Sequence, residues 1–308
     1  MTTKNTFTFS DPQGVEVFVY KWTPEDDVPT KAIVQIAHGA AEHALRYERF
    51  ARFLNQHGYI VYANDHRGHW KTAGDLMRAG IAGEGGWDAI VQDVAQLSDL
   101  IKEEYPDLPL IFFGHSMGSM IAQQYIQEYA DKAVAVVLSG TFGSLGEDMD
   151  AALTAAQGLV DQQGEDTPSA LFGEMFAGFN QPFEPGKTGL EWLTRDDDEV
   201  QKYVDDPWCG FPFTNGMVLE MFKAGIKMWK AENEARIPND LPVLVVSGDQ
   251  DPAGGFTQAV NLLVDRYKAK GMSEVTLKFY PGARHEILNE TNRDEVMQDI
   301  VDWMDAQV

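Results

Sequence analysis

The tightest constraint on this chain is an alternation of short apolar runs with helical patterns, which breaks off near Gly140 and resumes at Leu241. Apolar runs at 32–37, 59–63, 108–113, 133–138, 242–247 and 275–280 read as strands. Being apolar on both faces, they suit a sheet buried on both sides. Helical spacing appears at 46–57, 87–105, 116–129, about 257–270 and about 292–306, with Gly58 and Pro106 as stops. Strand, helix, strand in this order predicts an α/β fold with a mostly parallel sheet and helices on both faces. An N-terminal run at 15–20 adds further β structure.

The interruption at 141–240 is rich in Gly, Phe, Met and Asp and shows no buried-strand pattern. It predicts a mainly helical insertion, a cap on a core built from 1–140 and 241–308. Within it, Phe172, Met175, Phe176 and Phe179 share helical spacing, and aromatics recur at 208–213 and 217–222. Each alone packs the insertion onto the core. As a set they exceed what a thin helical layer needs, so some, with Phe176, Phe179 and Trp208 foremost, are expected at a substrate or lipid surface.

The chemistry concentrates at Gly114-His-Ser116-Met-Gly118, a G-x-S-x-G pattern between a strand and a helix. A sharp strand-to-helix turn exposes such a serine and sets it over a helix N-terminus with free N–H groups. A serine nucleophile needs a base, and the base needs an acid, in the chain order Ser, Asp or Glu, His. Of seven histidines only His285 follows Ser116. The acid is expected after the run at 242–247, where Ser247-Gly-Asp249-Gln-Asp251-Pro offers two candidates. Asp249 follows the glycine directly and suits a turn-shaping role; Asp251, further along, is favoured as the acid. For the oxyanion, the Met117 amide and the Ala40 amide in His38-Gly-Ala40-Ala-Glu42-His43 are the expected donors.

Composition narrows the partners. Forty-eight acidic and 24 basic residues give a net charge of −24, which disfavours nucleic acid and anionic membranes. The excess reads as a solvated acidic surface, or as adaptation to high salt. No window approaches the ~18 apolar residues of a membrane span, and no apolar leader precedes the first strands, so a cytoplasmic protein is expected. The single cysteine, Cys209, excludes an intrachain disulfide. Asp65-His66-x-x-His69 lacks further ligands at matching spacing, so it reads as a structural loop rather than a metal site. No metal or cofactor is required by this chemistry. Glu42 and Arg46 either bind polar head groups or pair with each other.

Taken together, His38-Gly-Ala-Ala-Glu-His43 with Arg46-Tyr47, Asp65-His-Arg-Gly-His69, Gly114-His-Ser-Met-Gly118, Gly248-Asp-Gln-Asp251 and Gly282-Ala-Arg-His285 resemble the monoacylglycerol lipase and lysophospholipase branch of the α/β-hydrolases, serine aminopeptidase-like enzymes. The resemblance runs from about residue 33 to the C-terminus and is weakest in the insertion. It implies an α/β-hydrolase fold, Asp251 as the acid, Ala40 as an oxyanion donor, and a cap that forms an apolar acyl tunnel. The implied activity is hydrolysis of a monoacyl lipid or similar small ester, with at most transient membrane contact through the cap; a peptidase or amidase on the same triad is the alternative. Two positions depart from the family pattern. Trp70 stands where the family loop continues with glycine, near the expected entrance to the oxyanion region. Leu288 stands where vertebrate monoglyceride lipases resemble one another in carrying a second histidine. Both bear on glycerol recognition and leave the triad untouched.

Overall fold

In the computed structural model, which describes residues 3–143 and 148–308, the apolar runs stand side by side in one eight-stranded sheet. Its strands are β1 (Thr3–Ser10), β2 (Glu16–Thr23), β3 (Ala32–Ala37), β4 (Tyr59–Asn64), β5 (Leu110–His115), β6 (Ala135–Ser139), β7 (Val243–Gly248) and β8 (Val275–Tyr280). Their order is β1-β2-β4-β3-β5-β6-β7-β8. β3 to β8 run parallel, and β1 and β2 join antiparallel at one edge. β3 to β7 are buried along their whole length. Alternate side chains feed opposite faces, as the pleat requires: Leu110 and Phe112 enter one core, Ile111 and Phe113 the other. β1 carries no such signal, since most of its side chains are exposed.

Eleven helices are found among the described residues: α1 (Glu48–Gln56), α2 (Trp70–Ala73), α3 (Gly86–Glu104), α4 (Met117–Glu128), α5 (Asp148–Gln163), α6 (Ala170–Phe176), α7 (Asp197–Asp205), α8 (Asn215–Met228), α9 (Ala231–Glu234), α10 (Gln258–Ala269) and α11 (Arg293–Asp305). α3, α4, α8 and α10 supply one core, and α1 and α11 the other. Helices therefore cover both faces of the sheet, an α/β-hydrolase architecture. Between β6 and β7 the described residues hold helices and no strand of the sheet; residues 144–147 of this stretch lie outside the described residues. α8 anchors the stretch by packing against α3, α4 and α5. No helix is long and apolar enough to cross a membrane.

Parallel strands bring their C-terminal ends to one edge, where loops converge. Here the loops after β3, β5, β7 and β8 carry Ala40, Ser116, Asp251 and His285.

Candidate active site

Ser116 links β5 to α4 with φ 52° and ψ −118°, a conformation that L-residues avoid and that persists only when neighbours hold it. Its N–H donates to the Ser139 carbonyl (2.9 Å), and its own carbonyl accepts from the Ser119 amide (2.8 Å) and hydroxyl (2.6 Å). The flanking glycines are required by contact. A Cβ on Gly118 would overlap the Ala37 carbonyl, and one on Gly114 would overlap the Gly118 carbonyl. Only hydrogen at both sites lets α4 lie against the ends of β3 and β5.

His285 is buried, and its Nδ1 lies 2.9 Å from Asp251 Oδ2. Asp251 is fully buried and accepts from the Ala253 amide through its other oxygen (2.8 Å). The loops meet because Gly248 approaches Ala283 so closely that a Cβ would overlap the Ala283 carbonyl. Asp249 points elsewhere and accepts from the Gly282 amide (2.8 Å), tying down the turn after β8. Geometry thus separates the two candidate acids: Asp251 meets the histidine and Asp249 shapes the loop. Burial pulls the His285 pKa down, but the Asp251 charge and hydrogen bond outweigh it, and the net shift is upward. His115, beside Ser116, goes the other way: burial and the nearby His285 lower it to about 4, so it is neutral near pH 7.

Among the described residues, the amides of Ala40 and Met117 donate to no protein acceptor. The loop bearing Ala40 is held from beneath. His38 Nδ1 bonds the Gly39 carbonyl (2.8 Å), His69 Nε2 accepts from the Ala41 amide (3.3 Å), and Glu42 accepts from the Gly39 amide. A Cβ on Gly39 would sit 2.7 Å from Glu42 Oε1 and 3.3 Å from Ser116 Cβ, so this loop passes hard against the serine. His66 and His69 are fully buried; His66 packs on His38, and His69 bonds backbone atoms through both ring nitrogens. Asp65 accepts from the Ala44 amide (2.9 Å). This loop is a scaffold: His69 faces backbone groups, and His66 faces the Asn64 side-chain amide.

Two cavities meet at Ser116, sharing Ala40, Ser116, Phe176 and His285. One, of about 410 Å³, is lined by Met117, Met120, Met149, Met175, Met221, Phe179, Phe222 and Trp229, an apolar and methionine-rich wall. The other, of about 540 Å³, is the more polar of the two: Glu42, Ser169, Asn180 and Tyr203 stand in its wall among Phe172, Leu190 and Trp192. Both fall in the size range of small-molecule sites.

Of the expected substrate contacts, Phe176 and Phe179 line these cavities and Trp208 does not. Trp208 sits on the turn after α7, and its neighbours Tyr203 and Gly210 form the wall instead. Arg46 also misses both cavities. It forms a bidentate pair with Glu286 (2.7 and 2.7 Å) and a second ion pair with Glu42, so it holds the scaffold together rather than reaching for a head group. Glu42 lines the polar cavity but is saturated by Arg46, Tyr47 and Gly39.

The sequence reading missed Trp192, whose ring lies 5.1 Å from that of His285 and whose carbonyl accepts the His285 amide (3.3 Å). It also missed what places Trp192. Glu191 accepts from the amides of Lys187 (2.6 Å), Thr188 (2.7 Å) and Gly189 (3.0 Å), and Asn180 bridges Glu191 to the Trp192 amide. Nothing periodic marks this loop; a Glu-Trp pair amid Pro, Gly and Thr was the only signal.

The serine aminopeptidase S33 family matches residues 28–292. The chain belongs to that family. A monoacylglycerol lipase of Mycolicibacterium smegmatis is 30% identical over 306 residues, covering 98% of each chain. The monoglyceride lipase homolog of Monkeypox virus is 30% identical over 281 residues, 89% of each chain. In structure, a thermostable carboxyl esterase from Bacillus coagulans, solved with glycerol, superimposes with a TM-score of 0.91 at 30% identity over the whole of both chains.

Within the S33 family pattern, the two departures land away from the cavities. Trp70 takes φ 25° at the position where glycine is expected, and its ring stacks on Tyr20 (6.2 Å) and leans on His43 (4.2 Å). It lines neither cavity, which corrects the expectation that it stands at the oxyanion entrance: the ring turns toward β2. Leu288 packs in the core beside α1 and α11 and likewise lines neither.

Proposed function

We propose that this protein is a carboxylic ester hydrolase that cleaves monoacyl lipid esters through an acyl-enzyme on Ser116. The observation that carries the reading is the pair of unlike cavities joined at Ser116. An ester has an apolar acyl side and a polar alcohol side, and each finds a matching wall. On this reading the helices and turns between 148 and 240 act as a cap, because they supply Met149, Met175, Phe176, Phe179, Met221 and Phe222 to the acyl cavity. The names of its relatives, lipases and an esterase, support the same class.

In the mechanism, Asp251 holds Nδ1 of His285 protonated, leaving Nε2 basic. Nε2 takes the Ser116 proton as Oγ attacks the carbonyl carbon. The Ala40 and Met117 amides stabilise the oxyanion; a donor of this kind is typically worth about 3–4 kcal/mol. His285 then protonates the departing alcohol, which leaves by the polar cavity. Water attacks the acyl-enzyme with His285 again as base, and the acid product frees Ser116.

The chemistry of a peptidase is the same, but a substrate amine needs a free carboxylate. Glu42 and Glu286, the acidic residues of the polar cavity, are both paired with Arg46. The acidic run at 196–199 caps α7 and pairs with Lys187, Arg49, Lys202 and Arg293 outside the cavities. This favours the esterase. A cytoplasmic location fits the free thiol of Cys209.

The test is labelling and turnover together. A fluorophosphonate probe is expected on Ser116, and Ser116→Ala is expected to abolish hydrolysis of monoacylglycerols and p-nitrophenyl esters while keeping the fold. Retained hydrolysis in that variant, or faster turnover of aminoacyl amides than of esters by the native enzyme, overturns the proposal.

A further inference from the structure

The turn between α7 and α8 brings three unlike donors together. His43, Asp206 and Cys209 present a ring nitrogen, a carboxylate oxygen and a sulfur that all lie within 4.8 Å of one another. His43 stands on the loop after β3, three residues beyond Ala40, while Asp206 and Cys209 come from the insertion. We propose that this cluster binds a zinc-class divalent cation and that occupancy inhibits the enzyme.

The donor set selects the ion. Nitrogen, oxygen and thiolate sulfur together suit Zn²⁺, whereas Ca²⁺ and Mg²⁺ require oxygen alone. Three protein ligands leave a fourth position for water, as in open zinc sites.

Two of the donors are already arranged. His43 Nε2 lies 2.9 Å from Asp206 Oδ2, and Asp206 is oriented by accepting the Trp208 amide on Oδ1 (2.8 Å) and the Cys209 amide on its carbonyl (3.0 Å). The other nitrogen of His43, Nδ1, is buried and has no hydrogen-bond partner among the described residues. The ring proton therefore sits on Nε2 facing Asp206, and for Nε2 to ligate a metal that proton passes to the unpartnered Nδ1. Trp70 covers the ring from one side, with centroids 4.2 Å apart. On binding, the Cys209 thiol loses its proton to buffer as the S–Zn bond forms; no oxidant or other reactant enters.

The link to activity runs through one carbonyl. Ala41, next to the oxyanion alanine, has its carbonyl bonded by the Gly210 amide (2.9 Å) and the Tyr203 hydroxyl (3.0 Å), and it sits at φ 50°. Ligands around tetrahedral zinc stand roughly 3.3–3.6 Å apart, given Zn–N near 2.0 and Zn–S near 2.3 Å. His43 and Asp206 are already within that spacing at 2.9 Å, so closing the cluster from its spread of up to 4.8 Å falls on Cys209, which moves on the order of 1 Å toward the other two. Gly210 follows, and with it the Ala41 carbonyl and the Ala40 amide. A displacement of that size at a catalytic donor costs about 10- to 100-fold in rate.

The inference rests on the esterase reading only for its effect on rate; binding itself is read without substrate. Chelator-treated full-length protein is titrated with Zn²⁺ in a calorimeter and with Co²⁺ in a spectrophotometer. Expected are one site per chain and a thiolate-to-cobalt charge-transfer band. Cys209→Ser is expected to lose the band, to keep its basal esterase rate, and to lose the 10- to 100-fold inhibition by Zn²⁺; Asp206→Asn is expected to weaken binding. No stoichiometric binding by the native protein overturns the proposal. So does inhibition that persists undiminished in Cys209→Ser, which assigns the ion to His285 instead.

Discussion

Arg46→Met separates a scaffold role from a head-group role. Arg46 lies between two buried carboxylates, Glu42 and Glu286, which are 3% and 6% exposed. Burial alone would raise the Glu286 carboxyl, but the Arg46 charge and its two hydrogen bonds hold it down at about 2. Removing the cation strands both carboxylates. Breaking a buried pair from one side typically costs about 3–5 kcal/mol. At roughly 2 °C per kcal/mol for a chain of this size, Tm is expected to fall by about 6–10 °C at pH 7.5. The pH dependence has a definite sign. In the native protein the depressed Glu286 contributes stability above the unfolded carboxylate value of about 4.3, lost as pH falls toward 2. In the variant Glu286 loses its only ion pair and keeps just the Asn289 amide, so burial moves its folded value above the unfolded one. Protonation then favours the folded form, and the deficit shrinks as the pH is lowered to 5. Thermal melts by circular dichroism at both pH values measure this, and Arg46→Met with Glu286→Gln should recover part of the loss. Steady-state kinetics completes the assay: kcat is expected to drop, because Glu42 holds the Gly39 amide and Glu286 follows His285, while KM stays within about twofold. An unchanged Tm with a raised KM for monoacylglycerols would refute the scaffold reading and restore Arg46 as a substrate contact.

Three further outcomes follow from the site. Asp251→Asn is expected to lower kcat by about 10³- to 10⁴-fold in single-turnover or steady-state assays, because an amide facing Nδ1 favours the wrong tautomer. Since the His285 pKa is raised above 6.5 against the pull of burial, kcat/KM should decline as pH falls through a midpoint above 6.5, with full activity on the alkaline side. In a p-nitrophenyl ester series, kcat/KM should climb up to about fourfold per methylene while the apolar cavity fills, from about 0.8 kcal/mol per buried CH₂; Met221→Trp should end that climb at a shorter chain.

Where burial dictated the residue, the structure was legible from the sequence. β3 and β8 span the very residues their apolar runs suggested, and β7 begins one residue later than its run. The placement of Ser116 on a strand-to-helix turn was legible from its flanking glycines, and that of His285 on the loop after the last strand from the run before it. The contest between Asp249 and Asp251 needed the close approach of Gly248 to Ala283 to resolve. Other features depend on contacts that have no local pattern. Trp70 had to be seen stacked on Tyr20 before its positive φ made sense as packing. Trp192 reaches His285 only because a single carboxylate, Glu191, gathers three backbone amides. His43 and Asp206 lie 163 positions apart and meet only when the stretch between β6 and β7 folds back over the loop after β3.

The meeting of the two cavities at Ser116 also bears on what replaces the alcohol. On the proposed acyl-enzyme route, while the acyl chain fills the methionine-lined cavity, the more polar cavity of about 540 Å³ is the way left for the second nucleophile. Water and any small alcohol then compete for one entrance. An enzyme built this way partitions its acyl group between hydrolysis and transfer according to the alcohol concentration, and in glycerol-rich medium it would run partly as a synthase of the esters it otherwise destroys.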